Sequence, residues 1–356
     1  MKNQTKIALF FGGKISQHLV LIRKAAKKLG VHLDLVSYNK VCFDTETLKV
    51  ELRDSLKIED YDVLFFRTTG KHWEEVDLIV QNLKLKTQNL KPVVVDPIVL
   101  NGKPSMACKA YQMLALKRAG IDVPKTVYGS LWFLFEYMKN QTVSHHNFFD
   151  SVNAGGSLQR RAGKFVKKTM IAKPMFDFPV IIKGSGGDRG TRVFKADDLE
   201  QLEILVRELR KTETEEGRRY MLQEYIPNDG DYRVLVLGKK VLGVMKRSSQ
   251  STSEFKNNYS VGGKVEVGNL PQEILDLAVR AAQVCGLAVA GVDVAFRDFD
   301  MKKPVIWEVN KGPQFKGFMK ATGINVPEEI VKFLVSLNPS VPAEPGHLPL
   351  TGRGKK

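Results

Sequence analysis

The sequence predicts an α/β and α+β protein of two or three packed units, and three observations support this prediction. The chain has 356 residues, of which 43% are apolar, and this length exceeds what one hydrophobic core usually serves. Short apolar runs alternate with amphipathic stretches over residues 6–100, as in a parallel α/β layer. From residue 178 onward strand and helix patterns are mixed, and two of the strands are spaced as a hairpin.

The first unit is expected to cover residues 1–103. Its strands are predicted at residues 7–11, 33–36, 63–66 and 92–95, and a basic helical segment follows the first strand as far as Leu29. The loop after the first strand contains Gly12 and Gly13 but matches neither GxxxxGK[ST] nor GxGxxG. A glycine turn that ends a strand therefore explains this loop better than a phosphate-binding loop does.

A second domain is expected over residues 104–338. It opens with a helix that Ser105 can cap and Gly120 can end. Lys109 lies near the first turn of this helix, where a cation opposes the helix dipole, so its ammonium is expected either in solvent or on an anion. The further predicted elements are strands at 178–183, 192–194, 221–226, 232–237, 241–245, 289–296 and 305–309, with helices at 197–211, 272–284 and 327–337.

Two segments differ in composition from the rest. Residues 139–173 carry seven basic side chains against one acidic side chain, which is typical either of a solvated excursion or of a docking arm for a polyanion. Residues 339–356 contain four prolines and end in basic residues, so they are predicted to form a disordered tail.

Overall composition excludes several classes of protein. No run of about 18 apolar residues occurs, and the N-terminal apolar run is too short for a signal peptide, so a cytoplasmic protein without a membrane span is expected. The three cysteines are far apart and lack CxxC spacing, which argues against a disulfide framework or a zinc site. The net charge of +16 favours anionic partners: nucleotides, acidic peptides, nucleic acid or a ribosome surface. A homo-oligomer is compatible with the sequence.

Lys183 is the first residue that points to chemistry. It ends a predicted strand and is followed by glycines at positions 184, 186, 187 and 190. Backbone N–H groups in such a segment can approach an anion while the ammonium meets a phosphate oxygen. Because a strand follows rather than a helix, this would be a flap between two strands that binds phosphate through Lys183, Gly186 and Gly187. The alternative is a flexible hairpin tip.

A second set of polar residues lies on two neighbouring strands. Glu308 and Asn310 share a strand face because they are two residues apart, and Asp293 can join them if residues 290–296 and 305–310 pair as a hairpin. Two carboxylates and an amide oxygen suit Mg²⁺. The alternative is a polar stripe that faces solvent.

A third set could bind a nucleoside and its phosphates. Glu224 and Tyr225 lie on a strand that could accept a purine, and Asp231 follows at a spacing suited to ribose hydroxyls. Basic residues could then meet phosphates or a developing acyl phosphate; they are Arg233, Arg247 and Lys256. The alternative is an ordinary sheet edge with solvated charges.

In their order along the chain, these pieces resemble the ATP-grasp superfamily and, within it, the RimK-like glutamate ligases. The strings that carry the resemblance are AGIDVP at 119–124, VIIKG at 180–184, QEYI at 223–226, GDYR at 230–233, Asn258 with GG at 262–263, AGVD at 290–293, EVN at 308–310 and ATGI at 321–324. The resemblance implies an ATP-grasp fold preceded by a Rossmann-like pre-ATP-grasp domain.

The resemblance also implies a role for each site residue. Lys109 and Lys183 would hold ATP phosphates, Glu224 and Tyr225 would line the adenine, and Asp231 would bind the ribose side. The later nucleotide-contacting strand would be Lys256, Asn257 and Asn258. Asp293, Glu308 and Asn310 would bind Mg²⁺, or Mn²⁺ in its place. Arg233 and Arg247 would lie near the acceptor carboxylate and the acyl phosphate as catalytic residues.

The implied activity is ATP- and Mg²⁺-dependent ligation of a carboxylate to an amine through an acyl phosphate. An amino acid such as glutamate would be joined to a peptide, a protein C-terminus, an acidic peptide or a small amine. Two alternatives are a glutathione-synthetase-like small-molecule ligase and a nucleotide-regulated protein that binds RNA or ribosomes through the basic insertion without turnover. One departure from the family concerns acceptor placement, since Lys311-Gly312-Pro313 follows Asn310 where the family more often has a small, serine-containing turn.

Overall fold

A computed structural model describes residues 4–44, 46, 49–52, 56–69, 72–86, 92–101, 108–140, 176–185, 192–215, 217, 219–248 and 264–338. The chain divides into two compact units, the first formed by Met1–Val123 with Pro227–Lys356 and the second by residues 124–226. Within the described stretches, every helix is too short or too polar to cross a lipid bilayer. The domain boundaries expected after residues 103 and 338 stay predictions.

The first unit contains a parallel sheet in the strand order β2-β1-β5-β6. Its elements are β1 (Lys6–Phe11), α1 (Gln17–Lys28), β2 (His32–Ser37), a hairpin of β3 (Val41–Asp44) and β4 (Lys49–Leu52), β5 (Val63–Phe66), α2 (Trp73–Lys86) and β6 (Val93–Val95). Alternate residues of β1 enter two cores, with Ile7 packed among residues of α1 and Phe10 among residues of α2. Burial on both faces is typical of parallel strands, and the predicted parallel α/β layer is confirmed.

The same unit holds an antiparallel sheet in the order β13-β12-β11-β14-β15. Its strands are β11 (Asp231–Leu237), β12 (Lys240–Ser248), β13 (Lys264–Val267), β14 (Val289–Phe296) and β15 (Pro304–Lys311), and its helices are α3 (Lys109–Arg118), α6 (Gln272–Val284), α7 (Lys316–Thr322) and α8 (Val326–Ser336). Val292 on one face packs with residues of α6. Leu235 on the other face packs with Phe318 of α7 and Ile330 of α8. This second face turns polar toward the start of β11, where Arg233 and Asp231 lie.

Helix α3 begins later than the sequence predicts. Cys108 has an extended backbone, with φ −108° and ψ 113°, and the helix starts at Lys109. Cys108 therefore occupies the N-cap position, and Ser105, which the sequence predicts as the cap, lies outside the described residues. Its end is confirmed, because Gly120 follows the C-cap residue Ala119 with a φ of +72°.

The second unit is an antiparallel sheet with helices on one face. The strand order is β7-β10-β8-β9, and the elements are β7 (Thr126–Gly129), α4 (Leu131–Asn140), β8 (Val180–Gly184), β9 (Val193–Ala196), α5 (Leu199–Glu215) and β10 (Tyr220–Glu224). Side chains of both helices form one core with Ile182 and Leu222. Residues 141–173 of the predicted insertion and the whole of the predicted tail lie outside the described residues.

Candidate active site

Three predicted metal ligands lie together on the polar face of the five-stranded antiparallel sheet of the first unit. Strands β14 and β15 pair in antiparallel register, with Asp293 opposite Glu308 and Gly291 opposite Asn310. The hairpin predicted from the sequence is thereby confirmed. Residues directly opposite or two apart share a face, so both carboxylates and the amide lie on one side of the sheet.

Asp293 is the centre of this face. Arg233, its partner on β11, donates through Nε and Nη2 to the two carboxylate oxygens at 2.7 Å each. Arg247 Nη2 lies 3.1 Å from Oδ2, and Asn310 Nδ2 donates to the same oxygen at 3.0 Å. Burial by itself would raise the pKa of Asp293, but the two guanidinium groups outweigh it and lower that pKa to about 2.

Asp231 and Arg247 form a buried ion pair beside Asp293. Arg247 Nε donates to Asp231 Oδ1 at 2.9 Å, and Nη2 donates to Oδ2. The two residues are opposite each other on β11 and β12, and only 2% of Asp231 and 4% of Arg247 are exposed. Burial raises the pKa of Asp231, and the guanidinium of Arg247 opposes that shift. Both oxygens of Asp231 are thus used within the protein, and its ribose-binding role stays a prediction.

The ammonium of Lys109 contacts Glu308, the second carboxylate among the predicted metal ligands. As the first residue of α3, Lys109 places Nζ 3.0 Å from Glu308 Oε1. Gln112, one turn later, donates to the carbonyl of Val309 at 2.9 Å and fixes the helix against β15. Of the two environments expected for the Lys109 ammonium, the structure therefore has the anion, here a carboxylate. Its contact with ATP phosphates stays a prediction.

The donor set suits a hard divalent cation. Among the described residues, no three His, Cys, Asp or Glu side chains gather as a metal site, so the amide oxygen of Asn310 is needed as a third ligand beside Asp293 and Glu308. Asn310 directs Nδ2 to Asp293, which leaves its oxygen as the available donor atom. Mg²⁺ takes one or two carboxylates and completes its coordination with water and phosphate oxygens. The residues present therefore fit Mg²⁺.

The predicted nucleotide residues Lys183, Glu224 and Tyr225 belong to the second unit. Lys183 lies opposite Met221 of β10 and Val193 of β9, on the sheet face away from Ile182 and the helices. Lys195 of β9 is two residues from Val193, and its Nζ lies 4.9 Å from the centre of the Tyr225 ring. Lys195 is not among the residues predicted from the sequence, although strand alternation after Arg192 places it on the same face as Lys183.

Glu224 fixes the end of β10. Its Oε1 accepts the N–H of Lys125 at 2.8 Å, and its own N–H donates to the carbonyl of that residue at 3.1 Å. The remaining predicted site residues lie outside the described residues; they are Gly186, Gly187, Lys256, Asn257 and Asn258. Their roles stay predictions.

Comparison with known families identifies the fold that carries these residues. Residues 158–334 match the model of the RimK-like ATP-grasp domain. This part of the chain is a RimK-like ATP-grasp domain. The domain includes every predicted site residue except Lys109, which precedes it in the sequence.

Curated relatives match slightly less than half of the chain. A probable alpha-L-glutamate ligase of Syntrophotalea carbinolica is 33% identical over 178 residues, which are 49% of this chain and 55% of that protein. Probable alpha-L-glutamate ligase 1 of Shewanella frigidimarina is 35% identical over 158 residues, which are 44% of this chain and 50% of that protein. The chain spans about half the length of these curated relatives.

A solved structure extends the likeness beyond the matched domain. The ATP-grasp ligase PsnB, complexed with a phosphomimetic variant of minimal precursor, Mg and ADP, has a TM-score of 0.62 at 15% identity. The match covers 94% of this chain and 98% of the PsnB chain. At this identity the likeness concerns the fold, and the predicted ATP-grasp fold with an α/β layer before it is confirmed.

Proposed function

We propose that the protein is an ATP- and Mg²⁺-dependent ligase that joins a carboxylate to an amine. The observation that carries this proposal is the polar face on which Asp293, Glu308 and Asn310 converge, bordered by Arg233 and Lys109. Catalysis of phosphoryl transfer depends on positioning the reactants and neutralising the charge of the phosphates. This face provides carboxylates that can hold a cation, and it provides guanidinium and ammonium groups beside them.

The comparisons support the choice of reaction. Relatives that match slightly less than half of this chain bear the name probable alpha-L-glutamate ligase, and PsnB is an ATP-grasp ligase with Mg and ADP in its structure. We infer that the acid or amine is an amino acid such as glutamate and that the other substrate is a peptide, a protein or a small amine. The net charge of +16 favours acidic substrates among these.

The reaction would proceed in two steps. A carboxylate oxygen attacks the γ-phosphorus of ATP, and the bond between that phosphorus and the β,γ-bridging oxygen breaks. ADP is the leaving group, and the product of this step is an acyl phosphate. The amine nitrogen then attacks the acyl carbon, inorganic phosphate departs with the electrons of the C–O bond, and the amine loses a proton. The product is an amide.

The chain's own residues would serve these steps by binding and orientation. Arg233 is held in a fixed plane by its two bonds to Asp293, and it could present its remaining N–H groups to the acyl phosphate. Lys183 would bind phosphate oxygens. Asp293 and Glu308 would hold Mg²⁺, which when bound supplies charge neutralisation at the phosphates. No side-chain nucleophile is needed.

The proposal is tested by release of ADP and phosphate from ATP and Mg²⁺ in the presence of each amino acid, with a fractionated cell extract as the acceptor pool. Mass spectrometry of the products identifies the acceptor and the mass added. We expect release that requires both an amino acid and an acceptor. ATP binding without any amino-acid-dependent release would contradict the proposal, whereas a product of glutathione type would place the activity among small-molecule ligases.

A matched pair of variants tests the site itself. Glu308→Gln removes a predicted metal ligand, and we expect turnover to fall by about 100-fold or more, equivalent to about 2.7 kcal/mol of transition-state stabilisation. Glu266→Gln removes an exposed carboxylate from β13 of the same sheet and should leave turnover unchanged. Equal turnover in the two variants would show that this face does not hold the metal.

A further inference from the structure

The turn that follows Asn310 is held by a side chain from the parallel sheet of the same unit. Arg67 follows β5 and is 3% exposed, and its Nη2 donates to the carbonyl oxygens of Gly312 and Pro313 at 3.1 Å each. The backbone N–H of Arg67 in turn donates to the carbonyl of Phe10 at 2.9 Å. The guanidinium of a residue at the end of β5 thus fixes the two carbonyls that directly follow β15.

Lys311 makes a second connection between the same two elements. Its Nζ donates to the carbonyl of Phe66, the last residue of β5, at 2.7 Å. Asp96, fully buried after β6, supplies a negative charge to this region and accepts the N–H groups of residues 288–289 at 2.8 and 3.0 Å. The start of β14 and the end of β15 are therefore both tied to the ends of the parallel strands.

This arrangement is costly for folding. Within the part of the chain that the structure describes, Arg67 and Lys311 carry two cations against the one carboxylate of Asp96, and the buried atoms Arg67 Nη1 and Asp96 Oδ2 have no hydrogen-bond partners. Unpaired buried polar atoms each cost about 1–3 kcal/mol, and apolar residues of similar volume often replace buried ionic groups without loss of stability. The cluster therefore does not have its explanation in the stability of the fold, and it is better explained if it positions a neighbouring side chain.

The neighbouring group is Asn310. It precedes Lys311 on β15, lies opposite Gly291, and directs Nδ2 to Asp293. We propose that Arg67 and Lys311 are positioning residues, which hold residues 311–313 and so orient the amide oxygen of Asn310 toward the cation. This inference rests on the function proposed above, because the cation site is part of that proposal. It also assigns a role to the Lys311-Gly312-Pro313 turn, where the sequence departs from the family.

The test measures cation affinity directly rather than turnover. The full chain is titrated with Mn²⁺ in the presence of a non-hydrolysable ATP analogue, and bound Mn²⁺ is measured by electron paramagnetic resonance. Arg67→Met should weaken Mn²⁺ binding by about 10–100-fold, as is usual when the groups that orient a metal ligand are removed. Arg280→Met is the matched control, because Arg280 also donates to a main-chain carbonyl, that of Ala119, but on the exposed surface. Its Mn²⁺ affinity should equal that of the wild type.

Lys311→Met keeps the inference testable if Arg67→Met does not fold. It replaces the ammonium by an apolar side chain of similar length, and we expect Mn²⁺ affinity to fall in the same direction. Wild-type Mn²⁺ affinity in a folded variant of either residue would overturn the positioning role while leaving the proposed function intact. Failure of the wild-type protein itself to bind Mn²⁺ with the nucleotide analogue would overturn both. A purely structural role would lower the melting temperature without changing Mn²⁺ affinity.

Discussion

Arg247→Met should be among the most destabilising substitutions on the polar face. The guanidinium of Arg247 binds Asp231 through two nitrogens and also lies 3.1 Å from Asp293, and all three side chains are at most 7% exposed. Removal of one partner from a buried ion pair leaves an uncompensated charge, which costs about 3–5 kcal/mol. Methionine retains most of the apolar volume of arginine, so the decrease in unfolding free energy measures the contribution of the charge and its hydrogen bonds.

Urea-induced unfolding at pH 7 measures this cost as a change in the free energy of unfolding. The matched control is Arg207→Met on α5, where the arginine is exposed and pairs with Glu203 four residues earlier. Such helix pairs contribute about 0.3–0.5 kcal/mol, so the control should differ from the wild type by no more than that. A cost for Arg247→Met as small as that of the control would refute the reasoning from burial.

The pH dependence of the variant provides a second test of the same argument. Without Arg247, burial sets the pKa of Asp231 and holds it above the unfolded-chain value. The folded variant then binds more protons than the unfolded chain, so its stability should rise as the pH falls from 7 to 5. Asp293 keeps both of its hydrogen bonds to Arg233, whose guanidinium still lowers the pKa of Asp293 in the variant, so the proton uptake is expected at Asp231. Asp231→Asn added to Arg247→Met should recover much of the lost stability, and no recovery would contradict the assignment to Asp231.

Two further predictions concern sites away from the ion pairs. Gly230 has a φ of +136°, and a Cβ there would lie 2.3 Å from the carbonyl oxygen of Arg247, so Gly230→Ala should cost about 3 kcal/mol of unfolding free energy. Gly30→Ala, at a φ of +67° with open space around it, should cost about 1–2 kcal/mol, and equal costs in thermal unfolding would refute the clash. Burial raises the pKa of the Cys285 thiol to about 12, so iodoacetamide at pH 8 should label exposed Cys42 and spare Cys285 until denaturant is added. Mass spectrometry of the labelled peptides checks this, and comparable labelling of both cysteines in the native protein would contradict it.

The parts of the site that the sequence predicts correctly are local. Asp293 and Glu308 lie on strands joined by a short turn, and strands joined in this way commonly pair as a hairpin. Alternation with a period of two then places Asn310 beside Glu308. Both steps need only neighbouring residues, and for this reason the predicted convergence of the three side chains agrees with the structure.

The partners of these side chains depend on contacts that no local pattern encodes. The ribose contact of Asp231 stays a prediction from its position in the chain, and nothing local indicates that the strand order places Asp231 opposite Arg247, which binds both of its oxygens. Likewise, Lys311 is 245 residues from the carbonyl of Phe66 that it binds. Which distant strands become neighbours is decided by the packing of the whole sheet. Ion pairs between such strands can therefore be identified only in the folded structure.

The charges on the polar face balance, and this balance bears on how substrates would bind. Of the described residues, three cations pair with three carboxylates there: Arg233, Arg247 and Lys109 with Asp293, Asp231 and Glu308. Burying unpaired charges is costly, and on this face the protein's own cations neutralise the carboxylates. A metal ion alone would have to displace Lys109 or Arg233 and leave that cation without a partner. When a metal ion binds together with a nucleotide, the displaced cations can pair with the phosphate oxygens instead of with the carboxylates. The number of ion pairs then stays the same. Under the proposed function, cation and nucleotide binding should therefore be coupled, because each supplies the partner that the other displaces.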